Sequence, residues 1–194
     1  MPKKRVAILF SGRGSNLETL LETLHSKTFH GTTLEVGLTL TNRPQAGGIE
    51  KSRRYGIEPV VIDHTQFKSR EAFDAALVEA IQAAQVDLTV LAGFMRILSP
   101  VFTCNVRAIN LHPSLLPLFK GAHAIKESYD SDMKVAGVTV HAVSEALDGG
   151  EILGQRAFEK TPDMTFEVFE ETIHALEHAL LPQVVIDSLC AKTV

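Results

Sequence analysis

The sequence predicts an α/β fold: a Rossmann-like, mostly parallel twisted sheet with helices on both faces and a mixed C-terminal part. Three observations lead there. Short apolar runs alternate with helix-period segments as far as Leu98, and a glycine loop separates the first run from the first helical pattern. Beyond Pro100, two strand candidates lie close enough in sequence to pair antiparallel. Strand–helix alternation implies right-handed crossovers and a sheet covered on both sides.

The elements follow in order. Arg5 to Ser11 is a continuous apolar strand candidate, Gly12 to Asn16 is the loop, and Leu17, Leu20, Leu21 and Leu24 then recur at helical spacing. A second strand is expected over Leu34 to Thr41, a second helix after Pro44, and a third strand over Pro59 to Ile62, with Gly56 punctuating the join. Ser69 is placed to cap a helix whose apolar face includes Phe73, Leu77 and Ile81. Val86 to Ala92 has the unbroken apolar character of a buried strand. Val106 to Leu111 is the next strand, Gly121 to Tyr129 a short helix, and Val135 to Val143 with Ile152 to Phe158 the antiparallel candidates, joined through Leu147-Asp148-Gly149-Gly150. Thr165 to Leu189 is the longest helical pattern, with Phe166, Phe169, Ile173, Leu176 and Leu180 on one stripe, and Pro182 predicts a kink or break within it.

At 194 residues the chain suits one domain, 1–194. A net charge of -4 argues against an extended nucleic-acid surface, so any phosphate contact must be local. Cys104 and Cys190 lie far apart in no CxxC pattern, which predicts neither a disulfide framework nor a zinc site and fits a reducing cytoplasm. The apolar run Val6 to Phe10 is too short for a signal peptide or a membrane span.

Ile109 to Pro117 carries the densest chemistry. In an extended segment Asn110 and His112 share a face, and Pro113 biases His112 away from helix, so an amide and an imidazole can aim at one atom. The pair is either oxyanion-hole chemistry or simply the polar end of a strand. Gly12-Arg13-Gly14-Ser15-Asn16 offers free backbone N–H groups and a helix dipole to an anion, or else is a glycine turn with an N-cap. Leu17 stands where the dinucleotide fingerprint wants a third glycine and no Walker lysine is present, so neither a nicotinamide cofactor nor an NTPase is expected. Gly93 to Leu98 follows a buried strand at the carboxyl ends, where ligands of open α/β sheets bind, and its apolar side chains suit either a flat aromatic ligand or the core. Arg70 is an anion partner or a solvated charge. Asp148 is a turn residue, or a carboxylate that favours the charged form of His112. His141 is a support residue or a satisfied interior histidine, with the second reading preferred, and His174 and His178 are read as a polar helix face rather than metal ligands.

Together these residues resemble the glycinamide ribonucleotide formyltransferase family. The resemblance runs through Gly14-Ser15-Asn16, Ser69-Arg70-Glu71, Ala92 to Leu98, Asn110 to Pro117, Val138-Thr139-Val140-His141, Leu147 to Gly150 and Glu177-His178. It implies a single-domain formyltransferase fold, with residues 1–100 as the phosphate-binding half and 101–194 as the catalytic and folate-binding half. It implies transfer of a formyl group from 10-formyltetrahydrofolate to the amine of glycinamide ribonucleotide, in purine biosynthesis. In that chemistry Asn110 and a protonated His112 bind the oxyanion, and Asp148 supports the charge of His112 and assists proton transfer. Gly14, Ser15, Asn16 and Glu177 hold the ribonucleotide. Arg70, Met95, Arg96, Ile97, Leu98, Asn110 and the loop Ser144 to Asp148 line the folate site. No metal, nicotinamide, nucleic acid or membrane is implied, and the expectation is a monomer or homodimer in the cytoplasm.

Two stretches depart from the family pattern. Leu118-Phe119-Lys120-Gly121-Ala122-His123-Ala124 replaces a stretch that often reads Lys-Tyr-Pro-Gly-Leu-His-Thr, and Glu151 stands where a proline is usual. Other readings are a methionyl-tRNA or sugar-amine formyltransferase, a formyltetrahydrofolate deformylase, or a non-catalytic phosphate- or folate-binding module. The enzymes among these normally bring an extra domain. The module has no need of Asn110, His112 and Asp148 together.

Overall fold

The computed structural model describes residues 2–190. Within them the chain runs β1 (Lys3–Phe10), α1 (Ser15–Leu24), β2 (Lys27–Phe29), β3 (Thr32–Thr41), α2 (Gly48–Arg54), β4 (Val60–Val61), a 3-10 turn (His64–Gln66), α3 (Arg70–Ala83), β5 (Leu88–Leu91), α4 (Pro100–Thr103), β6 (Ala108–His112), α5 (Ala124–Asp130), β7 (Val135–Ala142), β8 (Ile152–Glu159) and α6 (Phe166–Leu189).

One eight-stranded sheet has the order β2-β3-β1-β5-β6-β7-β8, with β4 added against β3. The β3-β1-β5-β6 centre is parallel. β7 and β8 are antiparallel to their neighbours, which makes the C-terminal part mixed as expected. β1 shows why the sheet is covered twice: Val6, Ile8 and Phe10 enter one apolar cluster, while Ala7 and Leu9 enter the other. Leu17, Leu20, Leu21 and Leu24 of α1 and Phe169, Ile173, Leu180 and Val184 of α6 fill the first cluster. Phe73, Leu77 and Ile81 of α3 fill the second.

Local signals explain the element starts. Ser69 Oγ accepts from the Ala72 N–H, and Thr165 Oγ1 from the Val168 N–H, so each hydroxyl satisfies a donor that the helix cannot. Two expectations need correction. α6 runs as one helix through Pro182, with no break there. Leu181, Pro182, Val184 and Val185 are all buried against the sheet, and that packing offsets the missing N–H bond. The short β2, absent from the sequence reading, pairs antiparallel with β3 across a reversal where His30 and Gly31 both take positive φ. Three residues are too few to carry an apolar period, so only the pairing defines them.

Candidate active site

The parallel strands end at a cleft of about 400 Å³ lined by Gly93 to Leu98, Asn110, His112, Gly121, His141 and Ser144 to Asp148, among others. Strand pairing assembles its floor. β6 places Asn110 and His112 two positions apart, and its antiparallel register with β7 sets His141 opposite Asn110. Asn110 Nδ2 lies 3.2 Å from His141 Nε2, while His141 Nδ1 faces the Ala142 carbonyl at 2.9 Å.

Asp148 enters from the β7–β8 loop at φ 46, a left-handed conformation that an Asp tolerates better than most side chains. Its carboxylate lies between the two histidines. Oδ2 is 3.5 Å from His112 Nδ1, Oδ1 is 3.7 Å from His141 Nε2, and Oδ2 also accepts from the Gly121 N–H at 2.9 Å. Burial by itself pushes the Asp148 carboxyl up, but the His141 ring, the Gly121 N–H and the charge of His112 together hold it below its ordinary value. The other face of His112 is also engaged: Nε2 lies 2.8 Å from the Phe119 carbonyl.

The turn after His112 is braced from β7 and β8. Thr139 Oγ1 donates to the Ser114 carbonyl at 2.7 Å and accepts from Leu116 N–H at 3.1 Å, and Gln155 Nε2 donates to both Thr139 Oγ1 and the Leu116 carbonyl. With Ser114 and Thr139 fully buried, water does not compete for these bonds, and the backbone carrying His112 is fixed.

The loop Gly93 to Leu98 forms one wall. Met95 and Ile97 are exposed there at 63% and 59%, an unusual state for large apolar side chains and one that suits an apolar ligand. Arg96 lies over the Phe73 ring, 5.8 Å from its centroid, and Asp74 Oδ2 accepts the Ser99 N–H at 2.6 Å, so both the middle and the end of the segment are tied to α3. Arg70 stands apart. It is the first residue of α3, exposed, 3.8 Å from Glu71, and does not line the cleft.

A second cluster forms where α1 meets α6. Gly14 caps α1 at φ 73 with no side-chain cap, which leaves the first-turn N–H groups to an incoming acceptor. A Cβ on Gly14 would lie 2.7 Å from Gly48 Cα, so both conformation and space demand glycine. Asn16 Nδ2 donates to Glu177 Oε2 at 3.1 Å, and the same oxygen lies 2.9 Å from His174 Nδ1. That bond raises the His174 pKa against the opposing effect of burial. Buried Asn16 Oδ1 and His178 Nε2 have no protein partner.

Two residues were undervalued in sequence. His141 is buried with both ring nitrogens engaged, a satisfied interior histidine as read, yet its Nε2 faces Asn110 Nδ2 and Asp148 Oδ1, so the support role weighed second in sequence holds as well; the cue was its Val138-Thr139-Val140-His141 context. His174 is more than a polar helix position, and its i,i+3 spacing to Glu177 was the available signal. Among the described residues, no group of three or more His, Cys, Asp or Glu is placed to hold a metal ion.

A paired amide and imidazole backed by a carboxylate, beside an apolar cleft on an open α/β sheet, define a site suited to carbonyl-group transfer. The formyl transferase family matches residues 4–185. A phosphoribosylglycinamide formyltransferase from Bacillus subtilis (strain 168) is 34% identical over 184 residues, covering 94% of this chain and 93% of that protein. The trifunctional purine biosynthetic protein adenosine-3 of Drosophila melanogaster is 40% identical over 183 residues, 93% of this chain but 14% of that protein. The crystal structure of phosphoribosylglycinamide formyltransferase from Campylobacter jejuni subsp. jejuni NCTC 11168 superimposes with a TM-score of 0.94 at 60% identity, covering 96% of this chain and 97% of that one. The chain belongs to the phosphoribosylglycinamide formyltransferases of the formyl transferase family.

Proposed function

We propose that this chain transfers the formyl group of 10-formyltetrahydrofolate to the amine of N1-(5-phospho-D-ribosyl)glycinamide, yielding the formylglycinamide ribonucleotide and tetrahydrofolate for purine biosynthesis. The observation that carries this reading is the convergence of Asn110, His112, His141 and Asp148 at one end of the cleft walled by Met95 to Leu98.

The ribonucleotide amine attacks the formyl carbon, forming a C–N bond and leaving negative charge on the formyl oxygen. Asn110 has a second amide N–H beyond the one facing His141, and that donor meets the oxyanion. His112 supplies the other. Its Nδ1 side is backed by the Asp148 carboxylate, and its Nε2–H, facing the Phe119 carbonyl in this structure, is the donor for which the oxyanion competes. Collapse of the intermediate breaks the bond to folate N10, which takes a proton, while the new amide nitrogen loses one. Asp148 serves that exchange as the nearest carboxylate, through water.

Gly14, Ser15 and Asn16 hold the ribonucleotide phosphate and Glu177 its sugar or amine end. Met95, Arg96, Ile97, Leu98, Ser144 and Asp148 hold the folate, and Arg70 meets the acidic end of the folate outside the lined cleft. Residues 1–100 thus carry the phosphate loop and one wall of the folate site, while 101–194 carry the catalytic groups, the opposite folate wall and Glu177. The reaction needs no metal and no nicotinamide. No helix among the described residues is long and apolar enough to cross a membrane. A cytoplasmic monomer or homodimer is the working form. Mixing the purified protein with both substrates should release tetrahydrofolate and the formylated ribonucleotide in equal amounts. No turnover with both present would overturn the reading.

A further inference from the structure

Ser11 ends β1 immediately before the glycine loop, and it is 2% exposed. Three hydrogen bonds converge on it. Its N–H donates to the Gly93 carbonyl at 3.0 Å, its Oγ donates to Asn42 Oδ1 at 2.6 Å, and Oγ accepts the Met95 N–H at 2.8 Å. Asn42 is fully buried, and its backbone carbonyl is held by His64 Nδ1 at 3.0 Å, which ties the residue that accepts from Ser11 to the turn after β4. A serine hydroxyl has a single proton. With that proton committed to Asn42, the lone pair facing Met95 is fixed.

The two bonds to Gly93 and Met95 bracket the start of the cleft wall, at a glycine with φ 75. Gly12 to Asn16 continues directly from Ser11 on the other side. One buried residue therefore joins the loop that would hold the ribonucleotide phosphate to the loop that would hold the folate.

We infer that Ser11 is a positioning residue that couples the two substrate sites, so that ribonucleotide bound at Gly14 to Asn16 tightens folate binding at Met95 to Leu98, and the reverse. The inference rests on the function proposed above. Its physical basis is that the first ligand orders a segment hydrogen-bonded to the second site, and the second ligand then has less to order. Linkage makes the effect reciprocal.

Tetrahydrofolate and glycinamide ribonucleotide form a pair that cannot react, so titration calorimetry can measure each alone and in the presence of the other. In the wild type each should tighten the other about fivefold to tenfold. In Ser11→Ala that factor should fall below about twofold, with ribonucleotide affinity alone little changed. A variant that keeps the full factor overturns the inference. Residue-resolved amide exchange in the wild type gives a test independent of the variant's folding. Ribonucleotide alone should slow exchange at Gly14 to Asn16 and also at Met95. Slowing at Gly14 to Asn16 with none at Met95 overturns the coupling but leaves the functional reading standing, whereas no slowing at either place overturns both.

Discussion

Asp148 Oδ2 sits 3.5 Å from His112 Nδ1 and at the same time accepts the Gly121 N–H at 2.9 Å. The carboxylate therefore links the β7–β8 loop, the end of β6 and the segment before α5. Asp148→Asn keeps the shape but removes the charge backing His112. Turnover should fall about 10²–10⁴-fold, the range for loss of positioned acid–base assistance, with ribonucleotide affinity nearly unchanged. Steady-state kinetics beside ribonucleotide calorimetry checks this, and an equal loss of ribonucleotide binding would contradict the division of roles.

Asn110→Ala removes a donor while leaving His112 in place. The expected loss in kcat is about 10²–10³-fold, with a smaller change in either KM, because the amide matters most once charge has developed on the formyl oxygen. A rise in folate KM with kcat intact would mean that Asn110 binds substrate and transition state alike.

Gly14→Ala should cost stability and ribonucleotide binding together. The left-handed backbone alone costs an alanine about 1–2 kcal/mol. The new methyl also meets Gly48 Cα at 2.7 Å, a backbone atom that cannot swing aside. Urea unfolding should show a lowered midpoint, and the ribonucleotide KM should rise more than the folate KM.

Two groups bend the pH–stability curve in opposite directions. The folded Asp148 carboxyl lies below its ordinary value of 3.8, so its contribution is present above about 3.8 and is lost as pH falls through the folded value. His174 lies above its ordinary 6.5 through Glu177, so its contribution is present below about 6.5 and is lost as pH rises through the folded value. The His174 side chain is 45% exposed, and salt should screen its part. Melting temperatures across pH should show the acid limb flattened in Asp148→Asn and the limb above about pH 6.5 flattened in His174→Ala.

Wherever a signal was local, the sequence already contained the answer. Ser69 caps its helix because a hydroxyl next to an apolar period satisfies an N–H that any helix start leaves free. Asn110 and His112 share the cleft because the side-chain period of a strand is two. The parallel core and the antiparallel end were equally legible, since apolar periodicity and loop length decide them. The 3-residue β2 and the unbroken passage of α6 through Pro182 were not, because pairing and burial outweigh local preference there.

Tertiary structure decided which distant groups meet. Antiparallel register set His141 beside Asn110, and packing of α1 on α6 brought Asn16 to Glu177, 161 residues away. Ser11 reached Met95 only because β1 and β5 are neighbours in the sheet. Residue type and spacing determine which chemistry the chain holds. Strand order, register and helix packing determine the distances at which that chemistry acts, because contacts between remote residues have no period along the chain.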